Sequence, residues 1–292
     1  MHSLWMLVAG FMFACMGMLV KLGAVYFSSI ELVFYRSLIG LFLTYLAMRT
    51  RRMPLITKYW KIHCWRGLFG LGGLLLFFYC ITQLPLATAI SLNNTWPLFL
   101  ALLTAIILKE RFHWVLVMTI LLGFIGVVLL LRPTLHEDQW QAGLIGLMSG
   151  IFASLAHLNL KQLGKLGESE WVVVFYFTLI CTVITGIWLW LTAFSAIDSN
   201  NLWILVGVGI TATLAQLALT RAYRVGKTMV VSALAYSTVL FAGLWDVFLW
   251  HEALPISAWV GMGMIMLGGA LSLRSASISK CWQALDSIIF TW

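Results

Sequence analysis

Polar side chains stand out in this sequence because they interrupt long apolar runs at helical spacing. Thr88, Ser91, Asn94 and Thr95 fall three and four residues apart, so on a helix they share one face. Thr228, Ser232 and Tyr236 form a second stripe, Thr213, Gln216 and Thr220 a third, and Ser154, His157 and Lys161 a fourth. Hydroxyls, amides and an imidazole so placed can hold and release a small polar molecule, or they can join helices by hydrogen bonds. His157 can also exchange a proton near neutral pH. Trp96 offers a ring to a planar or cationic partner, and Tyr79 is a further contact candidate. Two charges lie within apolar runs. Asp246 reads either as a proton or cation site or as the partner of an arginine or a water. Arg36 reads either as a structural cation that binds carbonyls or as a grip for an anionic group. No Walker loop, GxSxG, HExxH or paired carboxylate set occurs, so ATP-driven pumping and hydrolysis lack their residues. The five cysteines are scattered and form no CxxC, so no metal site and no cofactor is expected.

The background that holds these groups defines the class. Of 292 residues 62% are hydrophobic and 10% are charged, and mean hydropathy is +0.98. Soluble domains carry about 25% charge. So few charges cannot cover a globular surface, which excludes an ordinary soluble enzyme and excludes disorder more firmly. Apolar windows separated by short polar breaks predict ten spans, at 3–22, 30–48, 66–83, 86–108, 113–131, 142–163, 171–193, 202–221, 228–250 and 256–273. They are about twice as long as barrel strands and do not alternate, so they read as helices. The first run has no basic leader and continues to about Leu22, and it reads as a span rather than a cleavable signal.

Ten spans place both termini on one side. Fifteen of the eighteen Lys and Arg residues fall there: Arg49, Arg51, Arg52, Lys58, Lys61, Arg66, Lys109, Arg111, Lys161, Lys165, Arg221, Arg224, Lys227, Arg274 and Lys280. Lys21 and Arg132 fall on the other side, and Arg36 lies inside the second span. Under the positive-inside rule both termini are cytoplasmic, in a multi-pass protein of the inner (plasma) membrane. The net charge of +8 therefore reads as topology rather than as nucleic-acid binding.

The two halves resemble each other. At a shift of about 142 residues Glu110 falls on Glu252, Gly126 on Gly268 and Arg132 on Arg274. At about 141, Val33-Phe34-Tyr35 falls on Val174-Phe175-Tyr176, and at about 140 Gly10 and Lys21 fall on Gly150 and Lys161. Each half holds five spans, an odd number, so the second half enters the membrane inverted. Such inverted repeats are typical of secondary transporters, which hold cargo near the midplane. Asn94 and Tyr236 are each about 15 Å into their spans, near that depth.

Leu84-Pro85-Leu86-Ala87-Thr88-Ala89 leads the fourth span, Leu108-Lys109-Glu110-Arg111 closes it, and Gly123-Phe124-Ile125-Gly126-Val127 follows in the fifth. The second half echoes them with Ala222-Tyr223-Arg224-Val225-Gly226-Lys227 and His251-Glu252-Ala253-Leu254-Pro255, while Phe34-Tyr35-Arg36 carries an aromatic-Arg pattern. Together, in order, these segments resemble the drug/metabolite transporter superfamily, in particular its EamA-type ten-helix members, over residues 3–274. The resemblance implies an all-α polytopic membrane protein with ten helices in two inverted repeats around a central cavity. Spans 1, 3, 4, 6, 8 and 9 are then expected to line the cavity, and spans 5 and 10 to pack at the back, where a homodimer contact is an option. Members of the superfamily move amino acids, purine-type metabolites, S-adenosylmethionine, toxic cations or phosphosugars, so the resemblance alone selects no cargo.

These readings converge on one expectation. Residues 3–133 and 139–274 form the two EamA-like repeats, and 275–292 forms an amphipathic tail on the cytoplasmic surface. The expected function is secondary transport of a small metabolite, an amino acid or related zwitterion or cation, with export favoured and proton coupling left open. Ser91, Asn94, Thr95, Trp96, Tyr79, His157, Gln216, Ser232 and Tyr236 are the cargo candidates, and Asp246, Arg36, Glu110 and Glu252 the coupling or gating candidates. The alternatives are uptake of a nucleotide-like metabolite such as S-adenosylmethionine, or a scaffold or sensor that moves nothing.

Overall fold

The computed structural model describes residues 4–96, 98, 99, 103, 118, 121–123, 125–127, 129, 139–192, 194, 195, 197–225, 231, 234, 235, 237–251 and 255–275. Among them run nine α-helices and no strand. They are α1 (Trp5–Gly23), α2 (Ser29–Thr50), α3 (Trp60–Gln83), α4 (Leu86–Asn93), α5 (Trp140–Lys165), α6 (Glu170–Thr192), α7 (Ser199–Val225), α8 (Ser237–Trp250) and α9 (Ile256–Ser275). Six of them, α1, α2, α3, α5, α6 and α7, are long and apolar enough to cross a membrane. Their outward faces are apolar, with Phe42, Ile187 and Trp190 well exposed. Water would penalise such a surface; lipid accepts it.

Helix ends follow the local chemistry. Ser28 and Glu31 form a capping box at the start of α2, where the Ser28 hydroxyl accepts from the Glu31 amide at 3.3 Å and Glu31 accepts from the Ser28 amide at 2.8 Å. The same carboxylate accepts from the Ser195 amide at 2.5 Å, which ties the end of α6 to the start of α2. Helix α3 begins at Trp60, six residues before the predicted span, because Trp60-Lys61-Ile62-His63 winds on as a mixed turn that a hydropathy window discards. Helix α4 stops at Asn93. Pro97 has no N–H to offer the Asn93 carbonyl, and next to this break the Thr95 amide and hydroxyl both donate to the Leu92 carbonyl, at 3.1 and 2.6 Å.

The packing repeats when the halves are exchanged. Helix α3 packs on α5 as α1 packs on α7, α3 on α6 as α7 on α2, and α1 on α8 as α5 on α4. The pairs α2–α6 and α4–α8 map onto themselves. Close approaches obey the same rule. A Cβ at Gly10 would stand 2.7 Å from Ser237 Oγ, and one at Gly150 would stand 2.5 Å from Thr95 Oγ1. Gly10 and Gly150 correspond across the halves, and so do Thr95 and Ser237.

The two faces of the bundle are tied differently. On the face that carries the 51–59 loop, Tyr176 donates to the Leu55 carbonyl at 2.9 Å, Thr57 donates to Glu168, and Arg51 lies 4.4 Å over the Trp171 ring. Arg224 bonds Glu170 there at 2.6 Å, but Arg224 is 39% exposed. Arg224→Ala is therefore expected to cost less than about 1 kcal/mol. Glu31→Ala removes a capping box and the Ser195 tie and is expected to cost about 2 kcal/mol. Thermal unfolding in detergent checks the order, and an Arg224→Ala loss as large as that of Glu31→Ala would contradict it.

Candidate functional site

Seven helices contribute to the lining of a cavity of about 120 Å³ between the two halves. A water needs only about 10–15 Å³ on this scale, so a small solute has room. Helices α1, α3 and α4 contribute from the first half, and α5, α6, α7 and α8 from the second. The six helices expected to line the cavity all do so, and α6 adds Phe177. Its polar lining is Arg66, Asn93, Asn94, His157, Gln216 and Thr238. Much of the rest is apolar or aromatic, including Phe13, Phe77, Trp96 and Phe177. A site of this kind fits an amphipathic molecule, with a few polar groups to orient it.

Of the cargo candidates, Asn94, Trp96, His157 and Gln216 line the cavity. Ser91 and Thr95 are buried outside the lining, and their hydroxyls donate to the Ala87 and Leu92 carbonyls at 2.7 and 2.6 Å. Ser154, Thr213 and Thr220 likewise bond back to Ile151, Gly209 and Gln216 of their own helices. A short hydroxyl at lipid depth reaches the carbonyl three or four residues back, whereas a longer amide or imidazole projects beyond it. Tyr79 is 40% exposed and is not part of the lining. Ser232, Tyr236, Glu110 and Glu252 lie outside the described residues, as does the 276–292 tail.

His157 is held on several sides. Its Nδ1 is 2.7 Å from the Ala153 carbonyl and so carries the proton in the neutral ring, which leaves Nε2 as the acceptor. Its ring stacks on Trp96 with centroids 4.4 Å apart at 12°, and Tyr223 meets it edge-on at 5.7 Å. Asn93 Nδ2 donates to Ser149 Oγ at 3.0 Å, which anchors the break after α4 to α5.

Asp246 is fully buried at the other end of the bundle, where it accepts from the Leu86 and Ala87 amides at 3.1 and 2.7 Å. These are the first two amides of α4, so the carboxylate caps a neighbouring helix and meets its positive end. Lys21 Nζ lies 3.5 Å from Asp246 and 4.4 Å over the Trp250 ring. One carboxylate thus ties α1, α4 and α8 together. Arg36 is buried against the Phe177 ring and does not line the cavity.

The sequence reading missed Arg66, Asn93 and Phe177. The Lys and Arg asymmetry places Arg66 with the cations of the cytoplasmic side, but it sits roughly 9 Å along α3 and is 5% exposed. Its signal was present: Arg66, Gly70, Gly73 and Phe77 recur at helical spacing, and all four line the cavity.

Comparison with known proteins decides the family. The EamA-like transporter family matches residues 1–132 and again residues 140–274. The chain belongs to this family. EamA-like proteins are ten-helix polytopic membrane transporters and not enzymes, and they include proteins of several cargoes. The chain is 28% identical over 270 residues to the pseudopaline exporter of Pseudomonas aeruginosa, covering 91% of this chain and 93% of that one. It is 27% identical over 297 residues to a riboflavin transporter of Vibrio cholerae, covering 98% and 94%. An uncharacterized transporter of Helicobacter pylori is 29% identical over 283 residues, covering 94% of this chain and 95% of that protein. A solved crystal structure at 18% identity covers 96% of this EamA-like chain with a TM-score of 0.65, a likeness of fold.

Proposed function

We propose that this EamA-like protein is a secondary transporter that moves a small amphipathic metabolite, an amino acid or related zwitterion, out of the cell by alternating access. One observation carries the reading: both halves contribute polar and aromatic groups to a single cavity at the seam between them. An inverted pair can rock about such a seam and open it to either side in turn. The Lys21–Asp246–α4 tie acts as the gate on one face, and the loop 51–59 contacts close the other. The basic face is cytoplasmic, as the Lys and Arg asymmetry argues, and the membrane is the inner one. Export is favoured by the similarity to an exporter. Spans 5 and 10 remain the surface proposed for a second copy.

The test is counterflow with purified protein in liposomes, against amino acids, S-adenosylmethionine, nucleobases and organic cations, repeated under a pH gradient. A saturable signal for an amino acid, absent from empty vesicles, is the expected result. Acceleration by the gradient would assign proton coupling, and an unchanged rate would assign facilitation or exchange. A saturable signal for S-adenosylmethionine or a nucleobase in place of amino acids would favour the nucleotide-like cargo. Silence across the panel would overturn the reading in favour of a scaffold.

A further inference from the structure

Two guanidinium groups lie at membrane depth without a carboxylate partner among the described residues. Arg36 is 1% exposed, and none of its three side-chain nitrogens has a hydrogen-bond partner there. Arg66 donates from Nη2 to Gln216 Oε1 at a long 3.4 Å, and its buried Nε has no partner. Both groups lean on one ring, with the Phe177 centroid 4.3 Å from Arg66 Cζ and 5.5 Å from Arg36 Cζ. A ring face offsets only part of the desolvation of one cation, and two cations on one ring repel each other.

The described carboxylates are committed elsewhere. Glu31 holds Ser28 and Ser195, Asp246 holds α4 and Lys21, Glu168 and Glu170 sit at the start of α6 with Thr57 and Arg224, and Asp198 stands just before α7, where its amide donates to Asn201. None lines the cavity. Arg66 does, and its bed is shaped for it: a Cβ at Gly70 would stand 2.2 Å from Arg66 Nη1 and 2.7 Å from Phe177 Cε2. Amides of Asn93, Asn94 and Gln216, with His157 and Thr238, complete the polar lining, and aromatic rings form much of the remaining wall.

Building on the transport reading, we infer that Arg66 is the seat for a carboxylate of the cargo. Arg36 supplies a second positive charge from outside the lining, so among the amphipathic metabolites of that reading the site favours one that carries a carboxylate and no net positive charge, with an apolar or aromatic body. One lining guanidinium with a few amides suits a planar carboxylate, which its two N–H groups can meet side by side. A phosphate dianion is the competing anion, and phenyl phosphate among the probes below tests it. A cationic cargo would bring a third positive charge to a pair that already lacks an anion.

The probes keep one phenyl body and vary the charge: 3-phenylpropionate, phenylalanine, phenylalaninamide, phenethylamine and phenyl phosphate. Their effect on the unfolding midpoint of the purified protein is measured first, and counterflow in liposomes second. 3-Phenylpropionate is expected to stabilise most, phenylalanine less, and the amide and amine not at all. Arg66→Gln is expected to lose about tenfold or more in apparent affinity for 3-phenylpropionate. The same variant should keep or raise the ligand-free midpoint, because an unpartnered buried charge has gone. A purely structural arginine would lower it. Arg66→Lys should restore part of the affinity, and Arg36→Gln should weaken it by a smaller factor. No shift with any probe, equal shifts for acid and amide, a larger shift for phenyl phosphate, or a preference that survives Arg66→Gln would each overturn the seat. Saturable flux of the amine or amide alone would do so while leaving transport standing. A carboxylate preference without flux would uphold the seat and overturn the transport reading.

Discussion

Asp246→Ala is expected to destabilise the protein by about 3–5 kcal/mol, the range for removing one partner from a buried charged network. The carboxylate is fully buried and accepts two backbone amides of α4 while meeting Lys21 at 3.5 Å. Alanine leaves both amides without their acceptor and removes the anion that faces the ammonium. Asp246→Asn keeps one acceptor oxygen and loses the charge, so its loss should be smaller, about 1–3 kcal/mol. Thermal unfolding in detergent should place the two variants in that order below the wild type. A midpoint unchanged by Asp246→Ala would remove the tie as a structural element. On the proposal that the tie closes one face, a thiol reagent that cannot cross the membrane should also label a cavity cysteine placed at Thr238 faster in Asp246→Asn vesicles. Equal labelling rates would argue against a gate.

Gly126→Leu is expected to abolish recovery of folded protein. A Cβ at Gly126 would stand 2.7 Å from the Gly261 carbonyl oxygen and 2.9 Å from the Ile265 nitrogen. Backbone atoms in a packed helix cannot turn aside as a side-chain tip can, so the fifth span and α9 would have to separate. Even Gly126→Ala should cost about 1–3 kcal/mol. Gly263, on the same helix as Gly261, supplies the control. A Cβ there meets nothing within 4 Å, and Gly263→Ala should be neutral or stabilising by up to about 1 kcal/mol through helix propensity. Size-exclusion profiles and unfolding midpoints of the three variants decide the matter. A monodisperse Gly126→Leu protein with a normal midpoint would refute the close packing.

Much of this architecture can be read from one dimension. The apolar windows, the Lys and Arg asymmetry and the internal shift near 142 residues are properties of sequence order, and lipid converts them into helices with few alternatives. The cargo candidates that line the cavity are long polar side chains, Asn94, His157 and Gln216, together with Trp96. Composition and spacing thus determined a multi-pass, all-helical protein of two related halves with a polar seam.

Tertiary structure decided which polar groups are used up and which face the cavity. The hydroxyls of Ser91, Ser154 and Thr213 share the faces of the lining groups, yet each is bonded to its own backbone. Arg66 reads as a surface cation until α3 is seen to begin at Trp60. Asp246 is committed to amides about 160 positions away, which no local pattern encodes. The physical reason is the same in each case. A buried polar group is stable only with a partner, and the partner of a long-range contact exists only after the helices have packed.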